Sequence, residues 1–187
     1  MTKQQRIVAV EFLGTFLLAS AVFAGVNPFI ALAVIVLIIG GISGAHVNPA
    51  VTFGLASVNK HKMNEVLPYW VAQIAGGLGA SYLAVYLADS TLEFDFIGFD
   101  GRLFVAELVG AAIFLAGITL AVSQKLEGIQ LAVAVGGSLF MGAALGGIVN
   151  PAVMIGGGLI NVWSIVGILV GAVVGAHVGM MLAGKKV

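Results

Sequence analysis

The tripeptide Asn-Pro-Ala occurs twice, as Asn48-Pro49-Ala50 and Asn150-Pro151-Ala152, each time deep inside apolar sequence. Asn is a favoured helix N-cap, and proline is tolerated at the first helical position, where its missing N–H would have had no partner, so each tripeptide marks a helix start. The helix that each one opens is short: residues 51–57 in the first copy and 153 to about 160 in the second. At ~1.5 Å per residue either piece reaches about 15 Å, half of a ~30 Å hydrocarbon core. Two such half-helices entering from opposite faces meet at the midplane. Their N-terminal dipoles and two Asn amides then converge where a solute must pass.

Composition puts the rest of the chain in the same bilayer. Of 187 residues, 60% are hydrophobic and 9% charged, with a mean hydropathy of +1.15, against roughly 25% charged residues in a soluble domain. A formal net charge of zero gives no basis for nucleic-acid binding, and the absence of cysteine removes disulfide and thiolate chemistry. The histidines at 46, 61 and 177 are expected far apart on different elements, so no metal set and no cofactor site is visible. His46 is read as a wall residue, His61 as a solvated loop residue, and His177 as facing either the helix packing or the lumen. Twenty-seven glycines sit largely within apolar runs, which suits close helix packing in lipid.

The pattern gives six spans in one domain covering 1–187: 7–25, 28–41, 65–88, 103–122, 129–145, and a last one reaching 184 after the Asn161-Val162-Trp163 turn. Glu11 and Glu107 lie inside the first and fourth spans, and intramembrane carboxylates demand an explanation. The polar stretch 89–102 carries Phe94, Phe96 and Phe99, which either cap a vestibule or lie at the interface. Residues 6–88 and 102–184 follow one programme, with Glu11-Phe-Leu-Gly14 answering Glu107-Leu-Val-Gly110. Three spans per half is an odd number, so the second half is inserted upside down. The fold class is therefore an all-α membrane protein of six transmembrane helices plus two half-helices in an inverted repeat. With Lys3, Arg6, Lys60, Lys62, Lys125, Lys185 and Lys186 on one side and Arg102 on the other, both termini are expected in the cytoplasm, with the 89–101 loop outside a plasma (inner) membrane.

The segment Ser43-Gly44-Ala45-His46-Val47-Asn48-Pro49-Ala50-Val51-Thr52 resembles the first signature of the aquaporin and glycerol-facilitator family, the major intrinsic proteins. Glu11-Phe12-Leu13-Gly14-Thr15-Phe16 resembles its first span, and Pro68-Tyr69-Trp70-Val71-Ala72-Gln73 the opening of its third. The resemblance implies an aquaporin-like fold and a homotetramer with one passive pore per subunit. It implies passage of water or small uncharged solutes such as glycerol, urea, ammonia or peroxide, with no enzyme activity and no cofactor. By position, Asn48 and Asn150, with Pro49, Ala50, Pro151 and Ala152, would form the pore midplane. The carbonyls of Gly44, Ala45, His46, Val47, Gly146, Ile148 and Val149 would line the lumen, irregular backbone being tolerated at membrane depth where it faces a wet cavity. Glu11 and Glu107 would brace these stretches as acceptors for loop N–H groups.

One position departs from the family pattern. The second signature usually continues Asn-Pro-Ala-Arg, and here that place is Val153. The implied selectivity filter is Phe29, Ser138, Gly147 and Val153, although strict spacing points at Pro28 in place of Phe29. Such a filter is uncharged and wider than a strict water channel's. Two other readings are a non-conducting structural protein of the same fold and an ion-coupled secondary transporter. The latter needs a midplane carboxylate.

Overall fold

The protein is described by a computed structural model over residues 1–184; the expected cytoplasmic cations Lys185 and Lys186 lie outside the described residues. The polar lead is already helical. α1 (Lys3–Phe23) starts at a capping box in which Gln5 N–H donates to the Thr2 hydroxyl and Thr2 N–H donates to the Gln5 side chain, so orphan donors of the first turn are satisfied before the apolar run begins. α2 (Pro28–Ser43) is capped by Asn27, which accepts from Phe29 N–H at 3.0 Å. The half-helix α3 (Pro49–Ser57) is followed by a 3-10 turn at Met63–Glu65 and by α4 (Val66–Leu87).

In the second half, Asp100 caps α5 (Gly101–Ser123), accepting from the N–H groups of Leu103 and Arg102, bonds that hold its carboxyl below the usual range. α6 (Gly128–Ala143), the half-helix α7 (Pro151–Gly156) and α8 (Val162–Leu182) complete the set, α8 capped by Asn161. α1, α4 with its leading turn, α5 and α8 are long and apolar enough to span a membrane. α2 and α6 have 16 residues each, about 24 Å of helix, and irregular loops carry the chain on from their ends.

The second half-helix is shorter than expected. α7 has six residues, about 9 Å, because Gly157 and Gly158 break it and Gly158 adopts φ +80°. The residues assigned to its end, Leu159–Ile160, form strand β2, which pairs in parallel with β1 (Asp95–Phe96) in the register Asp95↔Leu159, Phe96↔Ile160. The 89–100 loop is thereby fastened to the exit of the half-helix, and Phe99 packs edge-on against Trp163 with ring centroids 5.6 Å apart. Phe94, Phe96 and Phe99 remain exposed.

The halves repeat their packing: α1 lies on α4 as α5 lies on α8, and α2 meets α6 across the centre. Each half-helix also sits on the other half, α3 on α8 and α7 on α4. The α4–α7 contact needs glycine on both sides, since a Cβ on Gly156 would fall 2.6 Å from the Gly77 carbonyl oxygen. Leu32, Ile35, Phe114, Leu115, Leu139, Met154 and Ile168 form the middle of the core.

Candidate functional site: the junction of the two half-helices

Each Asn side chain at the centre is used at both ends. Asn48 Oδ1 accepts from Ala50 N–H at 2.8 Å, and Asn150 Oδ1 accepts from Ala152 N–H at 3.0 Å, the N-cap bonds of α3 and α7. The amide nitrogens reach across the repeat: Asn48 Nδ2 donates to the Val149 carbonyl at 2.8 Å, and Asn150 Nδ2 donates to the Val47 carbonyl at 3.0 Å. This network fixes the amide orientations, and because an amide nitrogen carries two hydrogens, one per Asn is left for a guest.

The crossed bonds need the carbonyls of Val47 and Val149 turned inward, and the backbone reaches that geometry in the left-handed region. Val47 has φ 43° and Val149 φ 49°, a conformation disfavoured for a β-branched residue and costing about 1–3 kcal/mol each. The two buried carboxylates hold both turns. Glu11 accepts from His46 N–H (3.1 Å) and Val47 N–H (2.8 Å), and Glu107 accepts from Ile148 N–H and Val149 N–H (both 2.8 Å). Glu11 has a further donor, Gln73 Nε2 at 2.8 Å, which also bonds Thr52 Oγ1 at 3.0 Å; Thr52 Oγ1 in turn contacts His46 Nδ1 at 3.1 Å. Both carboxylates are thus committed to loop geometry.

Two cavities approach this junction from opposite ends. The one on the side of the 89–100 loop has a volume of about 280 Å³, and its largely apolar wall includes Val22, Phe23, Pro28, Leu139, Ile148, Val153, Met154 and Leu159. Asn48, Asn150 and Val47 form its floor. The one on the side of the N-terminus, about 210 Å³, is lined by Val36, Gly44, Ala45, Leu55, Lys60, Val122, Leu131 and Val135 among others. Leu32, His46 and Phe114 line both.

The structure thus brings Asn48, Asn150, Val47, Ile148 and Val153 to one cavity, Gly44 and Ala45 to the other, and His46 to both. Pro49, Ala50, Pro151 and Ala152 are buried as the first turns of the half-helices. Gly146, Gly147 and Val149 do not line the loop-side cavity. Gly146 turns the chain at φ 86° and Val149 is fully buried. Gly147 lies over the Glu107 carboxylate, where an added Cβ would sit 2.9 Å from Oε2.

Besides Gly147, two further expected filter residues face elsewhere. Phe29 packs on α6, where a Cβ on Gly136 would fall 2.8 Å from its ring, and Pro28 takes the wall position. Ser138 Oγ donates to the Ala134 carbonyl at 2.7 Å and lies against Gly117 of α5. The reason is helical periodicity: the lumen-facing stripe of α6 runs Leu131, Val135, Leu139, Ala143, spaced by four, and Ser138 is one residue, about 100°, off it. Pro28, Leu139 and Ile148 thus line the same cavity as Val153, and Ile148 packs against the cluster that includes Val153.

The histidines also depart from expectation. His46 and His61 are neighbours, their rings 4.8 Å apart, and both pack on Tyr69, which donates to the Ser43 carbonyl at 2.7 Å. His61 is half-buried, and its Nε2 has no hydrogen-bond partner among the described residues. Burial lowers its pKa, Glu65 raises it, and Lys62 lowers it, with the net direction downward. His177 is exposed on α8, its Nδ1 2.9 Å from the Val173 carbonyl, and so faces neither the packing nor the lumen. Among the described residues no group of three His, Asp or Glu side chains could hold a metal ion. The amino-acid pattern assigns no role to Leu32, Phe114, Leu139, Met154 or Gln73. Of these only Gln73, an amide in an apolar span, carries a signal of the kind that singles out Glu11.

Comparison with known proteins agrees with this architecture. Residues 28–183 match the family model described as major intrinsic protein. The chain is 34% identical to Aquaporin Z of Photorhabdus laumondii over 154 residues, 64% of this chain and 67% of that one. It is 32% identical to the probable aquaporin AqpM of Archaeoglobus fulgidus over 181 residues, 82% of this chain and 73% of that one. The X-ray structure of the aquaglyceroporin from Plasmodium falciparum superposes with a TM-score of 0.73 at 21% identity, covering 96% of both chains. The inverted repeat, the crossed Asn pair and the matched sequence together place this chain in the major intrinsic protein family, the family of the aquaporins.

Proposed function

We propose that water and small uncharged solutes of the glycerol, urea, ammonia and peroxide class pass through the two cavities of each subunit and across the Asn48–Asn150 junction. As a major intrinsic protein the chain is an integral, multi-pass membrane channel that acts passively, and it is not an enzyme. The observation that supports the solute class is the wall beside Val153. Among the described residues it has no cation and no fixed side-chain donor, and Pro28, Leu139 and Ile148 line the same cavity. Polar contacts for a guest come from the spare Asn hydrogens and from carbonyls such as those of Gly44 and Ala45. A neutral molecule can exchange such contacts with water, whereas an ion would lose its hydration against apolar walls. Both buried carboxylates are occupied by loop N–H groups, which argues against an ion-coupled transporter.

Stopped-flow light scattering on proteoliposomes tests this reading. The expected outcome is water and glycerol or urea flux that is proportional to the gradient and independent of ion gradients. Saturable, ion-coupled uptake would favour a transporter, and no flux a structural protein. We further propose a homotetramer in the plasma membrane, with both termini cytoplasmic. Support for the orientation comes from the charge asymmetry, and for assembly from the apolar side chains left exposed along α1, α4 and α8. Labelling of Ser90→Cys from the cytoplasmic side only, or a strictly monomeric mass in mild detergent, would overturn these two points.

A further inference from the structure

We infer that Phe114 is the specificity-determining residue of this channel and sets its size limit at the midplane, deeper than the Val153 position. The inference rests on the channel reading above. The loop-side and terminus-side cavities are separate volumes of about 280 and 210 Å³, and the wall residues common to both are Leu32, His46 and Phe114. The passage therefore closes down between the cavities, in the zone that those three residues border, while Val153 lines the loop-side cavity and not the other. With an aliphatic side chain at 153, discrimination by size falls to the narrowest remaining ring.

Of the three, Phe114 presents the largest rigid surface. A phenyl ring has two torsions and cannot fold aside as a long aliphatic chain can. It is 1% exposed, within the central cluster of the core. Its base is held against α6, since a Cβ on Gly142 would sit 3.2 Å from Phe114 Cβ. His46 is fixed as well, through Nδ1 on Thr52 and through its backbone N–H on Glu11. A guest at this point meets Phe114 and Leu32 as apolar walls, with His46 and the two Asn amides as its polar partners. That arrangement passes a molecule with one hydrogen-bonding edge and a narrow apolar body, and it rejects one whose carbon skeleton needs the space of the ring.

The test compares permeabilities in proteoliposomes for water, urea, glycerol and a four-carbon polyol. Phe114→Leu is expected to raise the glycerol-to-water and polyol-to-water ratios by about tenfold, the order that one or two methylenes decide in a closely fitted apolar site. Leu32→Ala opens the same ring from α2 and provides a second variant if the first does not accumulate as folded protein. Ile113→Ala, on the exposed face of α5 beside Phe114, controls for general loosening of that helix and should leave the ratios as in the wild type. A folded Phe114→Leu or Leu32→Ala protein with wild-type ratios would overturn the inference, as would the same rise in Ile113→Ala. Wild-type protein that passes no solute would instead overturn the channel reading itself.

Discussion

Replacing Glu107 by Gln keeps the side-chain shape but removes the carboxylate's charge and the ability of both terminal oxygens to accept. In the wild type these oxygens take the N–H groups of Ile148 and Val149, each at 2.8 Å. Gln can serve one of them and turns its own NH₂ toward the other. The lost bond to a charged acceptor is worth about 1.5–3 kcal/mol, and stranding a buried N–H carries a penalty of about 1–3 kcal/mol. The two figures overlap, so a net loss of about 3 kcal/mol is expected. The damage then spreads. With its restraint weakened, Val149 can leave φ 49°; the strain released, about 1–3 kcal/mol, is offset by breaking the buried Asn48 bond to its carbonyl, which costs about 1–3 kcal/mol once the partners are stranded. Its carbonyl then swings away from Asn48 Nδ2, which in the wild type is 2.8 Å off, and the crossed lock at the junction opens. For a chain of this size about 3 kcal/mol corresponds to a fall in Tm of about 6–12 °C. Thermal unfolding in detergent followed by circular dichroism gives that shift, and the same preparation in proteoliposomes should lose most of its water flux. A Glu107→Gln protein with wild-type Tm and flux would refute the claim that the carboxylate holds the left-handed turn.

Asn48→Asp or Asn150→Asp sets a carboxylate oxygen against the carbonyl to which the wild-type amide donates, 2.8 Å away at Val149 or 3.0 Å at Val47, and puts negative charge beside the positive ends of α3 and α7. Cation leak under a membrane potential should appear in both variants; unchanged cation exclusion would mean that the half-helices do not meet in the pore. Val153→Arg should cut glycerol or urea flux far more than water flux, because the long side chain narrows the loop-side cavity while offering donors to a water molecule; equal loss of both, or no change in either, would remove position 153 from the path. His61→Phe keeps the stack on Tyr69 and His46 and removes a ring nitrogen without a partner, a gain of about 1 kcal/mol. Because folding depresses the pKa of His61, the unfolded chain binds more protons below pH ~6.5 and this group's share of stability falls as pH drops through that point. Tm measured from about pH 8 to about pH 5 should therefore decline less in His61→Phe than in the wild type, and parallel curves would show that the ring is not buried as described.

Much of this architecture is readable from particular residues. Asn27, Asn48, Asn150 and Asn161 each act as helix caps, since capping is a local interaction that a short stretch of sequence specifies. The inverted repeat is legible from the spacing of two carboxylates and two Asn-Pro-Ala tripeptides. The apolar walls are not: a leucine or phenylalanine on a pore lining has the same hydropathy as one in the core, and only the angular position of Leu139 against Ser138, or of Pro28 against Phe29, decides which faces the lumen. The length of α7 escapes a hydropathy reading because the run after Ala152 stays apolar through Ile160, while Gly157 and Gly158 end the helix and strand pairing with the 89–100 loop takes over. The approach of His61 to His46 is a tertiary contact between a loop and a re-entrant stretch, which no periodicity encodes.

Solutes are held here to travel through the cavity floored by Asn48 and Asn150. The chain has no cysteine, so a single thiol can be placed on that path without background. Val153→Cys in proteoliposomes, treated with a methanethiosulfonate reagent carrying a bulky neutral group, should lose most of its water and glycerol flux and regain it on reduction. Flux that is unchanged after labelling is verified by mass would contradict the claim, because the permeating molecules would then bypass the Val153 wall.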